Sequence, residues 1–156
     1  SLVDPDAVSF LNPVDMPEAI REFCRESRQP EPERRGAVTR CILESLALKY
    51  RLVLDQLRRV APSPIERLYI VGGGSRNALL NQFTANATGL PVSAGPAEAT
   101  AVGNILLQAQ CLGAVDGLAE IRGIVRRSFS LEFFEPRDTK DWEKAYLKFL
   151  DLLGMD

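Results

Sequence analysis

Six consecutive residues, Gly72-Gly73-Gly74-Ser75-Arg76-Asn77, put backbone freedom, a hydroxyl, a guanidinium and an amide into one short stretch. Glycine lacks a Cβ, so it accepts positive φ and lets a ligand lie against the peptide backbone. From Asn77 onward the chain reads as the start of a helix. Helix-start amides point outward unpaired and carry a partial positive charge, which favours phosphate. Such a corner suits a nucleotide. A tight turn that needs glycine only for packing has the same pattern, and the pattern alone leaves both readings open.

The neighbouring positions narrow the chemistry. No lysine follows the glycines, so the phosphate loop GxxxxGK[ST] does not fit. The dinucleotide fingerprint GxGxxG needs a third glycine where Asn77 stands, and an acidic residue where Ser93-Ala94-Gly95-Pro96 stands. Asn77 offers an amide that both donates and accepts, suited to a base edge or a ribose. Histidine is absent from all 156 residues, which removes a histidine base, the Ser-His-Asp and Cys-His systems and imidazole-bound zinc. Cys24, Cys41 and Cys111 are too scattered for a metal knuckle or a disulfide scaffold. The default reading is therefore a reducing cytoplasm. Cys24 and Cys41 fall on neighbouring predicted helices; packed reduced thiols are the expectation, a disulfide the alternative.

The corner needs a framework, and the composition permits one. Apolar residues make up 46% and charged residues 26%, the balance of a globular domain of this length. With 19 basic and 21 acidic residues the net charge is -2, which gives no global electrostatic reason to expect nucleic acid or an anionic membrane. No apolar run has the length of a membrane span. Ser1 to Asn12 reads as loop or edge material rather than a domain opening, and predicts a piece of a larger polypeptide.

Residues 1–66 read as a helical part. A short helix is expected from Met16 to Ser27, a proline-containing linker over Arg28 to Pro32, and a long helix from Glu33 to Val60. The expected apolar stripe of the long helix is Val38, Ile42, Leu46, Tyr50, Val53, Leu57 and Val60. Residues 67–156 read as a βαβα part with a C-terminal helix. Leu68 to Val71 is an apolar run expected as an interior strand, and Asn77 to Thr88 a helix closed by Gly89. Pro91 to Ala94 is a second strand and Ala97 to Leu112 a further helix. Arg127 to Glu135 alternates like an edge segment, and Asp138 to Leu153 is a helix with Trp142, Tyr146 and Phe149 on its core face. Gly72 to Val115 carries only two charges, Arg76 and Glu98, which predicts a buried, closely packed unit with a mostly parallel sheet.

The run Leu68 to Gln82 (LYIVGGGSRNALLNQ), then Ala94 to Thr100 (AGPAEAT) and Gly103-Asn104, resembles the FGGY family of carbohydrate kinases. Phe10 to Pro13 (FLNP) and Arg40 to Tyr50 (RCILESLALKY) extend the resemblance along nearly the whole chain. The glycine-Asn loop is shared by members acting on several sugars, whereas AGPxEAT…GN is the mark of those acting on L-rhamnulose. The resemblance implies an α/β fold, the C-terminal half of an actin/hexokinase/Hsp70-type (ribonuclease H-like) ATPase, with the active site in a cleft between two domains. It implies ATP binding by Gly72, Gly73, Gly74 and Asn77, Mg²⁺ as the accompanying ion, and phosphorylation of the ketose at its 1-hydroxyl. The implied partner is an N-terminal kinase domain supplying the aspartate base and most sugar contacts. Asp4, Asp6 and Asp15 lack surroundings like those of that base, so no catalytic residue and no metal ligand is expected within this chain, and the chain alone is expected to be inactive. The alternatives are another sugar of the family, fuculose or xylulose, and a freestanding nucleotide-binding or assembly module.

Other polar residues read as structural. Glu98 is expected to offset the dipole of the helix it opens. Thr100 and Asn104, one turn apart, read as buried hydrogen-bonding groups, with the nucleotide cleft as the alternative. Mid-helix Gly103 implies close backbone packing. Arg76 and the pair Arg126-Arg127 read as solvated charge.

Overall fold

The computed structural model describes residues 1–155. Six helices and three short strands follow one another: α1 (Met16–Glu26), α2 (Arg35–Val60), β1 (Leu68–Ile70), α3 (Ala78–Thr88), β2 (Val92–Ala94), α4 (Ala99–Cys111), α5 (Leu118–Ser128), β3 (Glu132–Phe134) and α6 (Thr139–Leu152). A 3₁₀ turn, Gly73–Arg76, joins β1 to α3.

The helical part forms much as its sequence dictates. Asp15 caps α1 by accepting a hydrogen bond from the Glu18 amide at 3.0 Å, and Pro17 occupies the first turn, where it loses no bond. Asp4 and Asp6 both bind the Lys49 ammonium, at 3.1 and 2.8 Å, which pins the N-terminal segment to α2. Cys24 and Cys41 meet in a small core with Val3, Ile20 and Val38. Both are free thiols, and burial pushes them up, Cys41 to about 12.

α2 buries two faces rather than one stripe. Val38, Cys41 and Ser45 look toward α1 and the N-terminal segment, while Leu43, Ala47, Leu48 and Leu52 pack on α3 and α6. Tyr50, Val53, Leu57 and Val60 are exposed, against the expected stripe. Each four-residue step turns about 40° past a full turn of helix, so three steps carry Tyr50 about 120° round from Val38. Beyond Leu54 α2 buries nothing.

The sheet has the order β1-β2-β3, with β1 and β2 parallel and β2 and β3 antiparallel. β2 is the central strand and is wholly buried. β1, expected in the interior, is an edge among the described residues, and Tyr69 is 68% exposed. An apolar run specifies a strand but does not say how many neighbours it will find. α3 covers one face of the sheet and bridges it to α2 and α6, where Leu48, Leu80, Phe83, Tyr146 and Phe149 make the main core. Trp142 joins that core against Phe83, ring centroids 5.1 Å apart.

The expectation that Gly72 to Val115 is uniformly buried holds for α3 and β2 and fails for α4. That helix buries no residue; Ile105 is 65% and Leu107 is 56% exposed. Thr100 and Asn104 are not buried either, and a Cβ at Gly103 would meet nothing within 4 Å, so neither the buried-polar nor the close-packing reading stands. Lack of charge permits burial without supplying a partner surface. The edge segment expected from Arg127 begins later: α5 runs through Arg126 and Arg127 to Ser128, and the paired strand is confined to β3.

Candidate functional site

β1 and β2 run side by side, with Ile70 opposite Ala94, and their carboxyl ends release two loops at one point. This is where open parallel sheets present ligand sites, because successive loops diverge there and leave backbone uncovered. The first loop is Gly72–Asn77 and the second Gly95–Glu98. The Gly95 amide donates to the Ile70 carbonyl at 2.8 Å, and the Gly72 amide donates to the Pro96 carbonyl at 3.1 Å. The two loops therefore form one hydrogen-bonded corner.

Gly72 has φ 78° and ψ -166°, a region open essentially to glycine alone. This conformation turns the chain out of β1. Ser75, buried behind the turn, locks it: its amide and hydroxyl both donate to the Gly72 carbonyl, at 3.0 and 2.7 Å. Gly73 and Gly74 lie on the outer side, exposed, and a Cβ on either would meet nothing within 4 Å. Among the described residues their amides have no acceptor.

Asn77 sits at the N-cap of α3. Its Oδ1 accepts from the Leu80 amide at 3.1 Å, and its carbonyl accepts from the Asn81 amide at 3.0 Å. The oxygen of the side chain is thereby committed to the helix. The residue is exposed, and its Nδ2 group has no hydrogen-bond partner among the described residues, so it is left as a free donor. The structure thus brings all four sequence-derived residues, Gly72, Gly73, Gly74 and Asn77, to one exposed edge.

Charge at the corner is arranged differently from expectation. Glu98 occupies the N-cap of α4 but makes no capping bond; its Oε1 accepts from Arg76 Nη2 at 3.1 Å. The two side chains are 70% and 72% exposed, so the pair ties the loops loosely rather than holding buried charge. Arg76 is solvated, as its sequence context predicts, and paired as well. Sequence reasoning missed Asn81, one turn into α3, whose Nδ2 donates to the Ser75 carbonyl at 2.8 Å from a fully buried position. The available signal was an amide residue between Leu80 and Phe83 on the core face of a helix. Among the described residues no three His, Cys, Asp or Glu side chains converge as metal ligands.

Fold and corner together define a mixed α/β domain that offers unpaired backbone donors where parallel strands end. Residues 1–111 match the FGGY family of carbohydrate kinases, C-terminal domain, and the chain belongs to that family. It is 54% identical over 149 residues to a rhamnulokinase of Bacteroides thetaiotaomicron, covering 96% of this chain and 31% of that protein. A rhamnulokinase of Pectobacterium atrosepticum is 44% identical, with 96% and 30% covered. The chain thus spans about a third of the length of the curated relatives it matches. The crystal structure of xylulose kinase from Rhodospirillum rubrum shares the fold, with a TM-score of 0.59 and 24% identity over 78% of this chain and 25% of that one.

Proposed function

We propose that this chain is the nucleotide-binding part of a sugar kinase that passes the γ-phosphate of ATP to the 1-hydroxyl of L-rhamnulose. The observation that carries the reading is the exposed backbone at Gly73 and Gly74: two adjacent amides with no acceptor among the described residues, at positions where an added Cβ would meet nothing within 4 Å. Phosphate oxygens are the natural acceptors for such donors. Gly72 fixes the turn that presents them, and Asn77 Nδ2 donates to the adenosine side. For Mg²⁺ the corner supplies one carboxylate, Glu98, already engaged with Arg76. This corner therefore offers the ion no free carboxylate, and the ion would arrive on the nucleotide phosphates with its water.

Phosphoryl transfer depends chiefly on positioning and charge stabilisation around the moving group. This chain supplies the nucleotide side. The base and the sugar contacts belong to the N-terminal kinase domain, and closure of the two around the substrates completes the site. The choice of L-rhamnulose rests on AGPAEAT and Gly103-Asn104 and on the relatives named rhamnulokinase.

The test is a coupled assay of the polypeptide at the relatives' full length with MgATP and L-rhamnulose, L-fuculose or D-xylulose. L-Rhamnulose 1-phosphate as the preferred product is expected. Equal or better turnover of another ketose refutes the substrate, and absence of turnover with all three refutes the kinase.

A further inference from the structure

Asn81 is the one described residue whose buried side-chain oxygen, Oδ1, has no hydrogen-bond partner. The residue is 0% exposed, in the first turns of α3. Leaving half of a buried amide unsatisfied is unfavourable, and an apolar residue of the same size avoids it. A residue kept only to fill space would therefore not be asparagine here. The other half of the amide makes one bond, from Nδ2 to the Ser75 carbonyl at 2.8 Å. The flipped amide would set oxygen against oxygen at that position, so the orientation is fixed by chemistry.

That bond begins a chain of contacts leading to the corner. Asn81 holds the Ser75 carbonyl; Ser75 holds the Gly72 carbonyl through its amide and hydroxyl; the Gly72 amide holds the Pro96 carbonyl of the neighbouring loop. With the Ser75 carbonyl drawn inward, the turn presents Gly73 and Gly74 on its outer side. Glycine-rich backbone is soft, and three consecutive glycines have no side chains with which to hold themselves. The order must come from beneath.

We infer that Asn81 is a positioning residue: it anchors the glycine loop from inside the core and thereby sets the outward amides of Gly73 and Gly74 for the nucleotide phosphates. The inference rests on the nucleotide reading of the corner, and its test separates the two. Asn81→Leu keeps the branched shape, with bulkier methyl groups, and removes the bond. Thr84→Val alters a neighbouring buried hydroxyl of α3, which bonds the Leu80 carbonyl at 2.8 Å and does not touch the loop.

On the intact protein, amide hydrogen exchange is measured without ligand, and MgADP affinity by calorimetry. Asn81→Leu is expected to speed exchange at the Gly72, Ser75 and Asn77 amides at least tenfold and to weaken MgADP binding at least tenfold. Amides of α6 keep their protection, and Thr84→Val leaves both the loop and the affinity unchanged. Unchanged loop protection in Asn81→Leu overturns the anchor, and a loosened loop with wild-type affinity overturns its role toward the ligand. A wild-type protein that binds no MgADP, with the loop still loosened by Asn81→Leu, refutes the nucleotide reading and upholds the anchor. If Asn81→Leu does not fold, Asn81→Asp, which faces oxygen to the Ser75 carbonyl, is held to the same outcomes.

Discussion

At the residue scale, three adjacent glycines do different work. Gly72 is bound by conformation, and Gly73 and Gly74 by the space above them. Gly72→Ala forces a side chain into a region that costs about 1–3 kcal/mol, so it lowers the melting temperature and deforms the turn. Gly73→Ala adds a methyl group to open space on an ordinary backbone, so the melting temperature stays near wild type. If the corner receives phosphate as proposed, the same methyl stands in its approach, and MgADP affinity is expected to fall. Melting and titration of both variants check this split; equal effects of both on stability would contradict it. A glycine run followed by asparagine announces a tight turn and a helix cap, so the turn at Gly72–Gly74 and the cap at Asn77 were legible. The partners of Glu98 and Asn81 were not. Glu98 turns to Arg76 and Asn81 to Ser75 because two loops and a helix converge in space, which spacing along the chain does not encode.

At the element scale, α6 closes the core. Phe149 is fully buried, and the Tyr146 hydroxyl donates to Asp55 of α2 at 2.9 Å, beneath an Arg51 guanidinium 3.9 Å from its ring. Burial, then the bond donated to Asp55, pushes the Tyr146 phenol up to about 12. Its folded-state value lies above the unfolded one, so its contribution is complete below the ordinary tyrosine value and is lost as pH rises toward 12. Cys41, also pushed up to about 12, acts in the same direction from a lower starting value. Urea unfolding between pH 8 and pH 12 is expected to show falling stability, and Tyr146→Phe to flatten the upper part of the decline (about pH 10–12). An unchanged slope in that variant would contradict the account. The C-terminal helix was legible because Trp142, Tyr146 and Phe149 repeat at helical spacing and find a core. The long stripe of α2 was misleading because four-residue steps drift around a helix, and its true faces answer to two different partners. α4 misleads for the opposite reason: its sequence suits burial, and no described element covers it.

At the scale of the whole molecule, α1, α2, α3 and α6 form a packed body, and the sheet carries the corner on its rim. The sheet face away from α3 shows Tyr69 and Phe133, aligned across β2 by the register Tyr69–Ser93–Phe133. The family was legible from short runs spread along the chain, because they combine turn, cap and loop residues whose order is hard to meet by chance. The place of each strand in the sheet was not, since pairing is a property of the assembled sheet. The central claim concerns the rim alone: backbone donors at Gly73 and Gly74 receive nucleotide phosphate. Its most direct test is an amide NMR titration of the protein with MgADP. The account predicts saturable shifts greatest at Gly72 to Asn77, with a second group at Gly95 to Glu98 transmitted through the Gly72–Pro96 bond. Shifts centred elsewhere on the molecule, or none at millimolar ligand, would contradict it.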